Sequence, residues 1–203
     1  MIVDPAASSI HEIERLLVGV ILPRPIAFVS TISLDGIANL APFSFFTAVC
    51  PKPPVVCFCN SIRVSNGLKK DTLRNVEATG EFVINVVSED FAQKMVACSG
   101  DYPPDVSEFD ISGLTPIPSD LVKPPRVKES RVQMECRLLQ VVTVSTEPGG
   151  ASLVMGEVLR FHVDDSIINQ GKVDPDRLRP IGRMGGIEYV RTTDRFSMIR
   201  PKV

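Results

Sequence analysis

Short runs of apolar residues, alternating or continuous and separated by Gly, Pro and Asp corners, recur along this chain and predict strands more than helices. Ile26 to Ser33 is rich in β-branched residues and reads as a strand, and Asp35-Gly36 marks a hairpin turn. Ile37 to Ala41 begins the return strand, whose ladder is expected to break or bulge at Pro42 because proline has no N–H to give. Phe43 to Val49 should continue extended, with Phe43, Phe45 and Thr47 on one side and Ser44, Phe46 and Ala48 on the other. Pro51, Pro53 and Pro54 form a rigid link into Val55–Cys59, which is apolar enough to be buried on both faces. Glu81 to Val87 places Phe82, Ile84 and Val86 together. Arg126 to Thr146 reads as one long strand, with Val132, Met134, Cys136 and Leu138 alternating and a bulge or two-sided burial at Leu138-Leu139 and Val141-Val142. After a Glu-Pro-Gly-Gly turn, Leu153 to Val163 answers it, with Leu153, Met155, Leu159, Phe161 and Val163 assigned to one face.

Helices are few. Ser8 or Ser9 caps one through about Leu17, and Glu12 has the capping-box spacing to Ser9. Asp71 is the expected N-cap of a second, with Leu73 and Val76 packing inward and Gly80 ending it. Ser88 starts a third, to about Cys98. Residues 100–125 are proline-rich and aperiodic, fitting an arm, a lid or a linker. The linker is the weaker reading, because the strands on either side belong to one sheet system. Six or so antiparallel strands with few helices predict a mainly β protein, a closed or partly closed barrel, in a single domain over 1–203 with an N-terminal helical extension at 1–20.

Composition excludes several classes. A net charge of -2 gives nucleic-acid binding no support. Five cysteines, an odd number without a C-x-x-C pair, argue against a disulfide framework or zinc knuckle and suit small buried hydrophobes in the cytoplasm. Leu16 to Leu22 is too short for a membrane span and lacks the positive start of a signal peptide. Neither a dinucleotide fingerprint nor a P-loop is present. His11 and His162 are far apart in sequence, no triad or metal set is evident, and His162 reads as structural. The carboxylates form no defensible acid–base pair, so catalytic residues are not assigned.

One stretch, Arg24 to Thr72, carries chemistry. Arg63, Lys69 and Lys70 supply cations beside a helix N-terminus, and Ser61, Ser65 and Thr72 add hydroxyls; together they suit a phosphate. Asp71 is itself negative and should cap the helix or bind a sugar-like hydroxyl. A solvated basic loop beside an ordinary helix is the plain alternative. The backbone at Asn39–Pro42, with the Asn39 and Ser44 side chains, offers partners to the polar edge of a flat ring, and Phe45 or Phe46 could cover its face; either phenylalanine could equally be core.

The segments RPIAFVSTISLDGIANLAPFSFF, the apolar strand ending Cys59-Asn60-Ser61, KDTLRNVEATGEFVINVV and SGLTPIPSDLVKPPRVKES resemble, in order and spacing, the flavin reductase-like proteins, FMN-binding split barrels that include flavoredoxins, ferric reductases and reductase components of two-component monooxygenases. The resemblance runs from about Leu22 to Phe161. It implies a six-stranded antiparallel split β-barrel with Greek-key connections and a few flanking helices, and a homodimer with FMN near the subunit interface. Carried over by position, Ser30, Thr31, Asn39, Ala41, Pro42, Ser44, Phe45 and Phe46 lie along the ring and ribityl chain. Ser61, Arg63, Lys70, Asp71 and Thr72 match the phosphate loop, and Arg183, Gly185, Gly186 and Tyr189 close over the site. The implied function is NAD(P)H-dependent flavin reduction, with NADH or NADPH a transient donor and free flavin, a partner monooxygenase or another acceptor receiving the electrons. The alternative is a non-enzymatic FMN protein for electron transfer or storage.

Overall fold

The computed structural model describes residues 1–201. Strands β1 (Ala27–Ile32), β2 (Ala38–Phe43), β3 (Phe46–Pro51), β4 (Pro54–Ser61) and β5 (Glu81–Val86) precede a minor pair, β6 (Pro116–Ile117) and β7 (Arg126–Val127). The long hairpin β8 (Val132–Thr143) and β9 (Ala151–Val163) follows. Two small ribbons close the chain, β10 (Ile168–Asn169) with β11 (Lys172–Val173) and β12 (Ile181–Arg183) with β13 (Tyr189–Arg191). Helices are α1 (Ile10–Val20), α2 (Asp71–Thr79), α3 (Ala92–Ala97), α4 (Glu108–Ser112) and α5 (Pro175–Leu178).

The main sheet is antiparallel, mainly β as expected, but has seven strands in the order β2-β1-β5-β8-β9-β4-β3. The extra strand arises because Phe43–Val49 is not continuous: the chain leaves β2 at Phe43 and re-enters the sheet as β3 at Phe46. β2 and β3 are opposite edges of the sheet, yet only Ser44 and Phe45 separate them in sequence. The sheet must therefore curl until its edges nearly meet, which makes it a split barrel.

Pro42 does not break β2, which pairs through it to Phe28. The Leu40 N–H points away from β1 and is taken by the Glu108 carboxylate at 2.8 Å. Pro42, two residues on, has the same outward orientation, so its missing N–H leaves no gap in the ladder. The predicted strand from Arg126 is also divided, β7 and β8 being separated by residues 128–131. Leu139 is an extra residue in β8, as the bulge at Leu138-Leu139 anticipated, and Leu159 is an extra residue in β9. The second bulge overturns the assignment of one apolar face: Leu153 and Met155 alternate with the buried Val154 and Val158, whereas beyond Leu159, Phe161 pairs with Met134 on the same face as Val158. An added residue reverses the alternation beyond it.

Inside the barrel, Val29, Phe43, Phe58, Phe82, Ile84, Met134, Cys136 and Val154 pack together, and α2 closes one end with Leu73 and Val76. Gly156 makes room for this core, since a Cβ there would lie 2.3 Å from Phe82 Cζ. A second core joins Phe28, Leu40 and Val87 to Phe91, Met95, Phe109 and Leu114 of the helical side.

The proline-rich segment is strapped to the barrel by carboxylates that accept backbone N–H groups. Glu135, fully buried, takes those of Asp120 (2.9 Å) and Leu121 (2.6 Å), while His162 Nε2 lies 2.6 Å from the same carboxylate. Glu81 takes that of Lys123. Burial opposes ionisation of Glu135, but the two N–H groups and the His162 ring outweigh it and hold the carboxyl below its usual range. Among the described residues, no helix is long and apolar enough to cross a membrane.

Candidate functional site

The β4 strand delivers Ser61 to the surface, and the chain then loops through 62–70 into α2. Lys70, not Asp71, occupies the N-cap position, and its side chain makes no capping bond. Asp71 is the first helical residue. Its carboxylate is drawn sideways by Arg63 Nη2 at 2.8 Å and by Arg74. Arg63 from the preceding loop and Arg74 one turn along the helix thus win the carboxylate from the helix end. The first backbone hydrogen bonds of α2 come from Leu73 and Arg74 to the Lys70 carbonyl, so the N–H groups of Asp71 and Thr72 have no partner among the described residues. Such a nine-residue helix presents the positive end of its dipole to an anion.

The three predicted cations have different fates. Lys69 pairs with Glu77 at 2.7 Å. Arg63 is spread over Asp71, Asp101 and the Lys69 carbonyl, so it shapes the loop. Lys70 has no ion-pair partner among the described residues, and its ammonium stands 6.0 Å from the Phe43 ring centroid. Burial lowers its pKa, an effect partly offset by the Asp101 carboxylate. An unpaired, half-desolvated ammonium beside two free helix N–H groups is a donor set for a phosphate, and the residues present fit that group.

Thr72 is buried, and its hydroxyl donates to Asn39 Oδ1 at 2.8 Å. Asn39 Oδ1 also accepts from Thr31, Asn39 Nδ2 donates to Glu108 Oε1 at 2.7 Å, and Asn75 donates to Thr31. Thr31, Asn39, Thr72, Asn75 and Glu108 therefore form a buried polar network that locks β1, β2, α2 and α4 together, and the Asn39 and Thr72 side chains are committed within it. Ser30 is fully covered, and its hydroxyl has no partner among the described residues.

At the other end, Ala41, Pro42, Ser44 and Phe46 are half-buried and Phe45 is exposed where the chain crosses between sheet edges. Ser44 Oγ accepts from Arg24 Nε at 3.3 Å, and the Arg24 guanidinium lies 5.8 Å from the Phe45 ring centroid. The β12–β13 hairpin, carrying Arg183, Gly185, Gly186 and Tyr189, docks on Arg24 through reciprocal backbone bonds between Arg24 and Arg183. Arg183 stacks on Tyr189, 4.6 Å from its centroid. The cation Lys70 beside Phe43 and the Ser44–Phe45 crossing thus bracket one stretch of the β2 edge. Sequence reasoning passed over Arg24, Asp101 and Glu108, because an isolated Arg, Asp or Glu carries no motif until folding brings its partners to it.

Residues 20–175 match the family described as Flavin reductase like domain. An uncharacterized protein of Halalkalibacterium halodurans is 38% identical, the alignment covering 100% of this chain and 98% of the relative. Among solved structures, nitrilotriacetate monooxygenase component B from Bacillus cereus superposes with a TM-score of 0.92 at 32% identity, covering 98% of each chain. The 2-nitrobenzoate 2-nitroreductase NbaA of Pseudomonas fluorescens superposes with a TM-score of 0.88 at 30% identity, covering 99% of this chain and 96% of that one. With an antiparallel split barrel, an open helix N-terminus facing a free lysine and a family match across most of its length, this chain belongs to the flavin reductase-like family.

Proposed function

We propose that the protein is an FMN-binding oxidoreductase that takes electrons from NADH or NADPH and passes them to free flavin, a partner monooxygenase or another acceptor. The observation that carries this reading is the uncapped start of α2: the Asp71 and Thr72 N–H groups have no partner among the described residues, the N-cap Lys70 has no ion-pair partner among them, and Asp71 is held aside by Arg63. In this reading the phosphate of FMN is held there. The ring lies along Ala41, Pro42 and Ser44 to Phe46, with Ser61 flanking the ribityl–phosphate end. The backbone of Ser30 and Thr31, on the neighbouring strand, supports that edge. Bound FMN supplies hydride acceptance, and the chain's own residues bind, orient and shield it. The absence of an acid–base pair in the sequence agrees with that division of labour. Two solved relatives at 30% identity or above are named as a monooxygenase component and a nitroreductase, which supports an acceptor beyond the protein itself.

The reading includes a homodimer. β3 is an unprotected edge strand with Thr47, Ala48 and Val49 exposed. Beside it runs an apolar groove of about 760 Å³ lined by Phe46, Val49, Val55, Met134, Val158 and Phe161. A second copy of this chain is the occupant we assign, since such an edge left open is prone to pairing. Five free thiols support a reducing, cytoplasmic setting.

Anaerobic addition of NADH or NADPH to the FMN-loaded protein tests the reading. Rapid bleaching of the yellow colour is expected. A yellow protein that does not bleach is the non-enzymatic carrier, and a protein that takes up no FMN removes the proposal. Sedimentation of the wild type and of Val49→Asp should give a dimer and a monomer respectively.

A further inference from the structure

Arg24 is 4% exposed, yet no carboxylate pairs with it among the described residues. Nη1 donates to the carbonyls of Val18 (2.7 Å) and Ile21 (2.9 Å) at the C-terminal end of α1. Nη2 donates to the Met184 carbonyl at 2.9 Å, and Nε to Ser44 Oγ at 3.3 Å. These oxygens solvate the guanidinium without neutralising it. Burial and the neighbouring Arg183 both work against the charge, and arginine keeps it. A buried charge without a counter-charge is costly. The C-terminal end of α1 supplies only a partial negative charge, about half a unit, so much of the positive charge is left without a counter-charge, and it sits one contact from the ring end of the proposed flavin site.

Reduction by a nicotinamide creates the missing counter-charge. A hydride carries two electrons and one proton; its transfer to a neutral oxidised flavin forms the N5–H bond, leaves oxidised nicotinamide, and puts one negative charge on the ring unless a further proton arrives. We infer that Arg24 is the fixed charge that stabilises the reduced, anionic flavin, acting on the ring end through Ser44 as an electrostatic and positioning residue. This rests on the reading that the ring lies along Ala41–Phe46.

The test is the two-electron midpoint potential of bound FMN, measured anaerobically against reference dyes, alongside the Kd for oxidised FMN, for wild type, Arg24→Lys and Arg24→Gln. Wild-type bound flavin should have a less negative potential than free FMN, meaning tighter binding of the reduced form. Arg24→Gln should shift the oxidised-to-reduced ratio at fixed potential at least tenfold toward oxidised, about 30 mV for a two-electron couple, while Arg24→Lys keeps most of the wild-type value. A purely structural clamp would alter the oxidised Kd of both variants and leave the potential in place, and that result overturns the inference. So does a wild-type potential more negative than free FMN, which needs no variant to fold. Failure of the wild type to bind FMN is the separate outcome that removes the underlying reading, and the inference with it.

Discussion

Arg63 holds the carboxylate of Asp71 at 2.8 Å, and that pull keeps a negative charge out of the mouth of α2. The pair is mostly buried, both side chains being 14% exposed. In the proposed reading Arg63 therefore serves the phosphate indirectly, by holding aside an acid that would compete with it.

Arg63→Ala should weaken FMN binding by about 1.5–3 kcal/mol, roughly ten- to hundredfold in Kd. Because the loss comes from a freed carboxylate, Arg63→Ala/Asp71→Asn should bind better than Arg63→Ala alone. A double variant no better than the single one contradicts the indirect role. Fluorescence quenching of FMN reads both.

Lys70→Met should raise the Kd for FMN by a similar factor, about 1.5–3 kcal/mol for a charge-assisted contact, and leave riboflavin, which has no phosphate, unchanged. Equal losses for both ligands would move the phosphate elsewhere.

Glu135→Gln should lower stability by about 1–3 kcal/mol at neutral pH, because one amide N–H then faces a backbone donor; for a chain of this length that is a few degrees in Tm. The sign with pH follows from the depressed carboxyl. Its folded pKa lies below the unfolded value, so its contribution is complete above the unfolded pKa of about 4.3 and is lost as pH falls through the folded one. Denaturant titrations of wild type and variant should therefore converge in strong acid. A gap that persists there assigns the effect to packing.

Gly156→Ala should cost about 1–3 kcal/mol by overpacking, since its Cβ meets the Phe82 ring in the barrel core. A urea midpoint unchanged from wild type would show that the ring has room to shift.

The hydrophobic pattern alone located most of the barrel. The hairpin at Asp35-Gly36, the inward pair Leu73 and Val76, the Gly80 stop and the Ser9–Glu12 capping box all stand where local rules put them, because each depends on residues a few positions apart. Ser61, Arg63 and Lys70-Asp71-Thr72 were legible as a candidate site for the same reason.

Long-range pairing decided the rest. That Ser44–Phe45 joins opposite edges of one sheet, that Leu159 bulges and reverses the outer face of β9, and that Pro42 sits harmlessly on an edge depend on strand order, which no local window contains. Which acid each base would hold was also settled by folding: Asp71 went to Arg63, Glu77 to Lys69, and, among the described residues, none to Lys70 or Arg24. Residue types and their spacing are local properties of the chain, whereas the partner of a charge is set by which surfaces burial brings together, and here that choice leaves two cations without a carboxylate partner among the described residues, one at each end of the candidate site.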